Sequence, residues 1–185
     1  MRVLLVSGST RSGSTNSAAL ATAAALAPPE VTAVRYDGLA ALPAFNPDDD
    51  GDRLPGPVAG LRGEIEASDA VLFCTPEYAG TLPGSFKNLL DWTVGGGQLY
   101  GKPAAWLNVA ADGRGGGAQE TLRSVLGYVG ALIVEPACRH LPVDRSAIGP
   151  GGTVSDPAFA AGLAGLWAEL VRHGQDRQAV AADLE

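Results

Sequence analysis

Val3-Leu4-Leu5-Val6-Ser7-Gly8-Ser9-Thr10-Arg11-Ser12-Gly13-Ser14-Thr15-Asn16 runs directly into the alanine-rich segment Ser17 to Leu26. A short apolar run, a loop of small residues and a helix start make a strand–loop–helix unit. Such a unit gathers backbone N–H groups and hydroxyls around one point, the N-terminus of the helix. Unpaired N–H groups and the positive end of the helix dipole favour an anion there. Arg11 adds a permanent guanidinium whose fork matches phosphate oxygens. The loop reads as a phosphate cradle.

The kind of phosphate follows from what the loop lacks. Gly8 to Thr15 nearly spells G-x-x-x-x-G-K-[ST], but Ser14 stands in the lysine position. Without that lysine, the β- and γ-phosphates of a nucleoside triphosphate lose their main cationic partner. Ser9 and Thr10 break the G-x-G-x-x-G spacing of a dinucleotide site. No cysteine lies between Met1 and Asn16 to act as a phosphatase nucleophile. The remaining set of Ser, Thr and Asn donors with one arginine suits a terminal phosphomonoester. A plainer reading of the same residues is that Ser14 or Thr15 caps the first helix.

Working outward, apolar runs alternate with helical patterns. Strands are predicted near Arg2 to Ser7, Val31 to Tyr36, Ala70 to Thr75, Ala104 to Val109 and Leu132 to Ala137. Helices are predicted near Ser14 to Leu26, Val58 to Ala67, Pro83 to Trp92, Ala118 to Tyr128 and Ser155 to His173, the last opened by Asp156-Pro157. This alternation predicts an α/β fold, a parallel sheet covered by helices on both faces. Five strands fit the doubly wound order 2-1-3-4-5, an order taken from the fold class and not from residues. Ligands of such sheets sit beyond the carboxyl ends of the strands.

Three small-residue loops fall at that end: the cradle after strand 1, Pro76 to Gly84 after strand 3, and Ala110 to Gly117 after strand 4. They would let a planar ligand lie close to the backbone. Asn46 to Pro57, with consecutive aspartates at Asp48 to Asp50, reads as a solvated loop that could be mobile or could reach another subunit. One domain is expected over residues 1–175, with a polar tail over 176–185.

Composition removes several classes. A net charge of −7 argues against nucleic acid or an anionic membrane surface as a partner. The first apolar run is too short for a signal peptide, and none approaches a membrane span. Cys74 and Cys138 lie in or beside apolar runs without a CxxC pair, so both read as reduced packing residues of a cytoplasmic protein with no metal site. His140 and His173 are isolated and read as surface or capping residues.

The second long motif is Pro76-Glu77-Tyr78-Ala79-Gly80-Thr81-Leu82-Pro83-Gly84-Ser85-Phe86-Lys87-Asn88-Leu89-Leu90-Asp91-Trp92. Pro76 stops the strand, Gly80 and Gly84 allow tight turns, and Pro83 can open a helix. Here the chain resembles the NADPH-dependent FMN reductase family of flavodoxin-like proteins, which includes quinone, chromate and azo-compound reductases. That family carries G-S-x-R-x-x-S-x-N after strand 1 and P-E-Y-N-x-x-x-P-G-x-x-K-N-x-x-D-W after strand 3. Both are nearly complete here, and the likeness extends to the third loop, Asp112-Gly113-Arg114-Gly115-Gly116-Gly117. The one departure is Ala79, where the family usually has asparagine.

The resemblance implies that Ser9, Arg11, Ser14, Thr15 and Asn16 hold an FMN phosphate. It implies that Pro76, Glu77, Tyr78, Ala79 and Gly80 line the isoalloxazine ring, and that Ala111, Asp112 and Gly113 close its pyrimidine side or the ribityl chain; a plainer reading of Glu77 is that it complements the N-terminus of the helix that follows it. Lys87, Asn88, Asp91 and Trp92 read as packing or subunit-contact residues. The implied activity is hydride transfer from NADPH or NADH to flavin N5, then on to a small acceptor such as free flavin, quinone, chromate or an azo compound. The resemblance also implies a homodimer or homotetramer. No side chain is assigned a proton-transfer role, since the chemistry resides in the flavin. Two other readings are an electron-carrier flavodoxin, against which Arg11 and the single Tyr78 speak, and a non-redox binding protein on the same fold.

Overall fold

The computed structural model describes residues 1–182, with side chains through Gln175. Strands β1 (Arg2–Ser7), β2 (Thr32–Tyr36), β3 (Ala70–Cys74), β4 (Pro103–Asn108) and β5 (Leu132–Ile133) form a parallel sheet in the order β2-β1-β3-β4-β5. Helices α1 (Thr15–Ala25), α2 (Gly56–Glu66), α3 (Gly84–Asp91), α4 (Gly116–Tyr128) and α5 (Pro157–Ala182) make the crossovers and the closing layer. The expected doubly wound architecture is observed.

Pleating assigns each central strand residue to one of two layers. Val3 and Leu5 of β1, Leu72 of β3 and Leu107 of β4 pack under α1 and α5, beside Leu20, Leu163 and Trp167. Leu4, Val6, Phe73 and Trp106 point the other way, against Leu61 of α2, Phe86 and Leu89 of α3 and Leu122 of α4. Burying each such leucine or phenylalanine contributes about 1.5–3 kcal/mol. β3 is buried along its whole length, as a central parallel strand with both faces covered must be.

Two elements differ from expectation. The predicted fifth strand, Leu132 to Ala137, is interrupted: after Ile133 the chain makes a 3-10 turn at Glu135–Ala137, and then a short strand β6 (Arg139–His140) pairs with β4 as well. Pro136 is the cause, because it has no N–H to continue the ladder. The last helix is longer than predicted. Part of the expected tail, 176–185, is helical backbone of α5 up to Ala182, and residues 183–185 lie outside the described residues.

Asn46 to Pro57 is tied to its own chain. Asp50 pairs with Arg62 of α2 at 2.6 Å, both side chains about nine-tenths buried, and Arg62 Nε donates to the Trp92 carbonyl at 2.8 Å. Asn88 accepts from the Phe45 N–H (2.7 Å) and donates to the Pro43 carbonyl (2.8 Å), which also takes the Trp92 indole N–H at 2.9 Å. The Asn88 and Trp92 of the second motif therefore fasten the chain entering this loop. Lys87 and Asp91 pair with each other at 2.5 Å.

Candidate active site

The cradle is built at the end of β1. Gly8 is required there, because a Cβ would lie 2.2 Å from Thr75 Oγ1, and the Gly8 N–H donates to the Cys74 carbonyl at 2.8 Å. This presses the first loop against the start of the second. Ser9 Oγ accepts from the Arg11 N–H at 3.3 Å, and Gly13 turns with φ +65°. Ser14 caps α1: its Oγ accepts from the Ser17 N–H at 3.0 Å and donates to Ser17 Oγ at 2.9 Å. The N–H groups of Thr15 and Asn16 have no intrahelical acceptor by virtue of their position.

Asn16 is buried, and its Oδ1 accepts the Cys74 S–H at 3.3 Å. Burial pushes the Cys74 thiol well above its ordinary range, so it stays a protonated donor. The Arg11 guanidinium is exposed, with one long contact of 3.4 Å to the Gly13 carbonyl. No acidic residue lies in the first turn of α1.

In the second loop, Tyr78 and Thr81 exchange two backbone hydrogen bonds of 3.0 and 3.1 Å across Ala79-Gly80. Both central residues have positive φ, +51° at Ala79 and +76° at Gly80, so this is a mirror-image two-residue turn. Asparagine or glycine is the usual first residue of such a turn; Ala79 occupies it against its steric preference. Tyr78 is 57% exposed. Glu77 is half-buried, and its Oε2 accepts the Ala118 N–H in the first turn of α4 at 3.0 Å.

The third loop is held from behind. Asn108 donates through Nδ2 to the Arg114 carbonyl (3.2 Å) and accepts at Oδ1 from the Ala110 N–H (3.0 Å). His140 Nε2 lies 2.8 Å from the Ala110 carbonyl oxygen. Ala111, Asp112 and Gly113 are exposed on the loop so fixed. Among the sequence-expected residues, Asn16 meets the end of β3 at Cys74, Glu77 and Gly80 meet the first turn of α4 at Ala118 and Gly117, and Ala111 to Gly113 lie on the loop that leads into α4. Gly117 belongs to the expected third loop, whereas Asn108 and His140 are not among the residues the sequence assigns to this region. Asn108 was legible only as a polar residue ending an apolar strand, and His140 carried no local signal. A cleft of about 590 Å³ lies at the opposite end of the sheet between Met1, Glu66, Tyr100 and Lys102, away from all three loops.

These features define a flavodoxin-like α/β protein with three small-residue loops gathered at the carboxyl ends of its strands. The sequence model of the NADPH-dependent FMN reductase family matches residues 1–143, and the chain belongs to that family. An NAD(P)H-dependent FMN reductase of Pseudomonas aeruginosa is 41% identical over 133 residues, 70% of this chain and 71% of that protein. A 2-hydroxy-1,4-benzoquinone reductase of a Burkholderia species is 30% identical, covering 83% of this chain and 85% of its own. The flavoenzyme NAD(P)H:(acceptor) oxidoreductase FerB of Paracoccus denitrificans superposes with a TM-score of 0.77 at 30% identity, over 95% of this chain and 97% of that one. The chain is an NAD(P)H-dependent oxidoreductase that uses FMN.

The donor set fits FMN. The first-turn N–H groups of α1, the loop hydroxyls and the Arg11 guanidinium belong to one short stretch with no acidic residue in that first turn, a donor set suited to a phosphomonoester. Among the described residues no helix is long and apolar enough to cross a membrane.

Proposed function

We propose that this chain is a quinone-reducing member of its family, a single domain over residues 1–175 that works in the cytoplasm as a homodimer or homotetramer. Ser9, Arg11, Ser14, Thr15 and Asn16 hold the FMN phosphate, Pro76 to Gly80 border the ring, and Ala111 to Gly113 close its pyrimidine side. The observation carrying the site is a contrast between two helix N-termini at this end. That of α4 already has a carboxylate, from Glu77, whereas the first turn of α1 has none. An anion is thereby directed to α1.

The quinone assignment rests on the Burkholderia relative, whose named substrate is a benzoquinone. It is also supported by the open approach past Tyr78 and Ala79, both exposed. FMN held by these residues would supply two-electron hydride chemistry. This chain's part is binding and orientation. Arg11 and the α1 dipole fix the phosphate end, and the Tyr78–Thr81 turn fixes the height of the ring edge. Backbone N–H groups in the third loop would meet negative charge developing on the pyrimidine side. Unpaired Cys74 and Cys138 suit a reducing compartment. Asp48, Asp49, Asp52 and Arg53 remain exposed around the anchored Asp50 and offer a contact surface to a second subunit.

The test is an anaerobic titration of FMN-reconstituted protein. NADPH or NADH should bleach the flavin absorbance, and 1,4-benzoquinone should restore it stoichiometrically. Bleached flavin that benzoquinone leaves unchanged would overturn the quinone assignment, and a spectrum that neither nucleotide alters would exclude the reductase reading.

A further inference from the structure

Helix α4 begins without a cap of its own. Gly115 at its N-cap is left-handed (φ +84°) and, like Gly116 and Gly117 after it, has no side chain to offer. The cap comes from a residue 41 positions earlier: Glu77 Oε2 accepts the Ala118 N–H. A carboxylate at a helix N-terminus combines a charge-assisted hydrogen bond with a favourable dipole interaction.

A second tether lies four residues further along the loop. Thr121 donates its hydroxyl to the Gly117 carbonyl at 2.8 Å, so the 2.9 Å contact between Thr81 Oγ1 and Thr121 Oγ1 has Thr81 as donor. Between the tethers, Gly80 packs its carbonyl against the bare Cα of Gly117. The Tyr78–Thr81 turn, strained at Ala79, is thus fastened to α4 on both sides.

We propose that Glu77 is a positioning residue rather than a flavin ligand: it locks the Tyr78–Gly80 turn onto the first turn of α4, and Thr81–Thr121 completes the lock. This rests on the reading that the turn borders the ring. The competing role for the same carboxylate is a charge facing the flavin directly. The two roles differ in what glutamine does. Glu77→Gln keeps an oxygen acceptor for the Ala118 N–H and loses the charge, whereas Glu77→Ala loses both.

Hydrogen exchange on the apoprotein reads the lock without cofactor. The Tyr78 and Thr81 amides should exchange about tenfold faster in Glu77→Ala, the scale of one hydrogen bond to a charged group, and near the wild-type rate in Glu77→Gln. Titrations with FMN and with riboflavin, which lacks the phosphate, read the consequence. Both affinities should fall by about the same tenfold in Glu77→Ala and stay within about threefold in Glu77→Gln. Thr121→Val, which leaves the α4 cap intact, should speed exchange at Thr81 and decides the matter if Glu77→Ala does not fold. The proposal is overturned if Glu77→Gln loses as much affinity as Glu77→Ala, or if neither Glu77→Ala nor Thr121→Val changes exchange in the turn. Wild-type protein that binds neither flavin would instead sink the site reading, while the exchange result would still judge the lock.

Discussion

Gly117 approaches Gly80 so closely that a Cβ on Gly117 would stand 2.1 Å from the Gly80 carbonyl oxygen. Both neighbours there are backbone or tethered carboxylate, so nothing can swing aside. Gly117→Ala should cost about 1–3 kcal/mol of stability and weaken flavin binding by displacing the turn. Gly116→Ala is the control. A Cβ at Gly116 meets nothing within 4 Å, and alanine in a helix gains about 0.5–1 kcal/mol over glycine. Urea midpoints of the two variants should therefore move in opposite directions.

Ala79 sits at φ +51° on an exposed turn, so no packing is lost by replacing it. Ala79→Asn and Ala79→Gly should each stabilise the protein by about 1 kcal/mol, by relieving the left-handed penalty. Thermal melts would check this, and Ala79→Val should melt below wild type.

Arg11 makes one long internal contact, so its removal costs the fold little. Arg11→Ala should weaken FMN by about 2 kcal/mol, about thirtyfold, through loss of a charge-assisted phosphate contact. Riboflavin affinity should be unchanged. Fluorescence titration with the two flavins measures both, and equal FMN affinity in the variant would remove Arg11 from the cradle.

Asp50 and Arg62 form a nearly buried pair. Asp50→Ala strands the guanidinium and should destabilise by about 3–5 kcal/mol, read as a lower urea midpoint. The same loss is expected to loosen 46–55, and proteolysis there should accelerate.

Burial pushes the Cys138 thiol up to about 11 and that of Cys74 further still. In the unfolded chain both ionise near the ordinary thiol value of about 8.5. Below that pH the thiols are protonated in both states and contribute no pH dependence. As pH rises past it, only the unfolded state releases their protons, so stability should fall. Denaturation midpoints measured across that range would detect the slope, and Cys138→Ala should make it shallower. Alkylation of either thiol in the native protein should be slow at neutral pH.

The strand and helix pattern was legible because it depends on nearest neighbours. Val3 to Val6 read as a strand and Ser14 as a helix start from their own sequence, and the structure places them so. The fifth strand was misjudged because apolarity at Leu132 to Val134 outweighed Pro136, although a missing N–H interrupts any ladder. Asn88 and Trp92 were recognisable as packing residues, but their partner Pro43 was not. It lies 45 residues before Asn88 and 49 before Trp92, and no local periodicity connects them.

Within the site the division is sharper. Six consecutive apolar and small residues, Val3 to Gly8, followed by Ser, Thr, Arg and Asn specify a strand, a loop and a helix start, because donors and helix N-terminus come from one continuous stretch. Where Glu77 would direct its carboxylate, and why Gly117 must lack a side chain, follow from backbone brought together from two loops. Side-chain type and local spacing therefore determined the alternation of strands and helices and the proposed phosphate cradle. Only packing of β3 against β4 and α4 decided that Glu77 serves a helix end, since a hydrogen bond depends on where distant atoms meet.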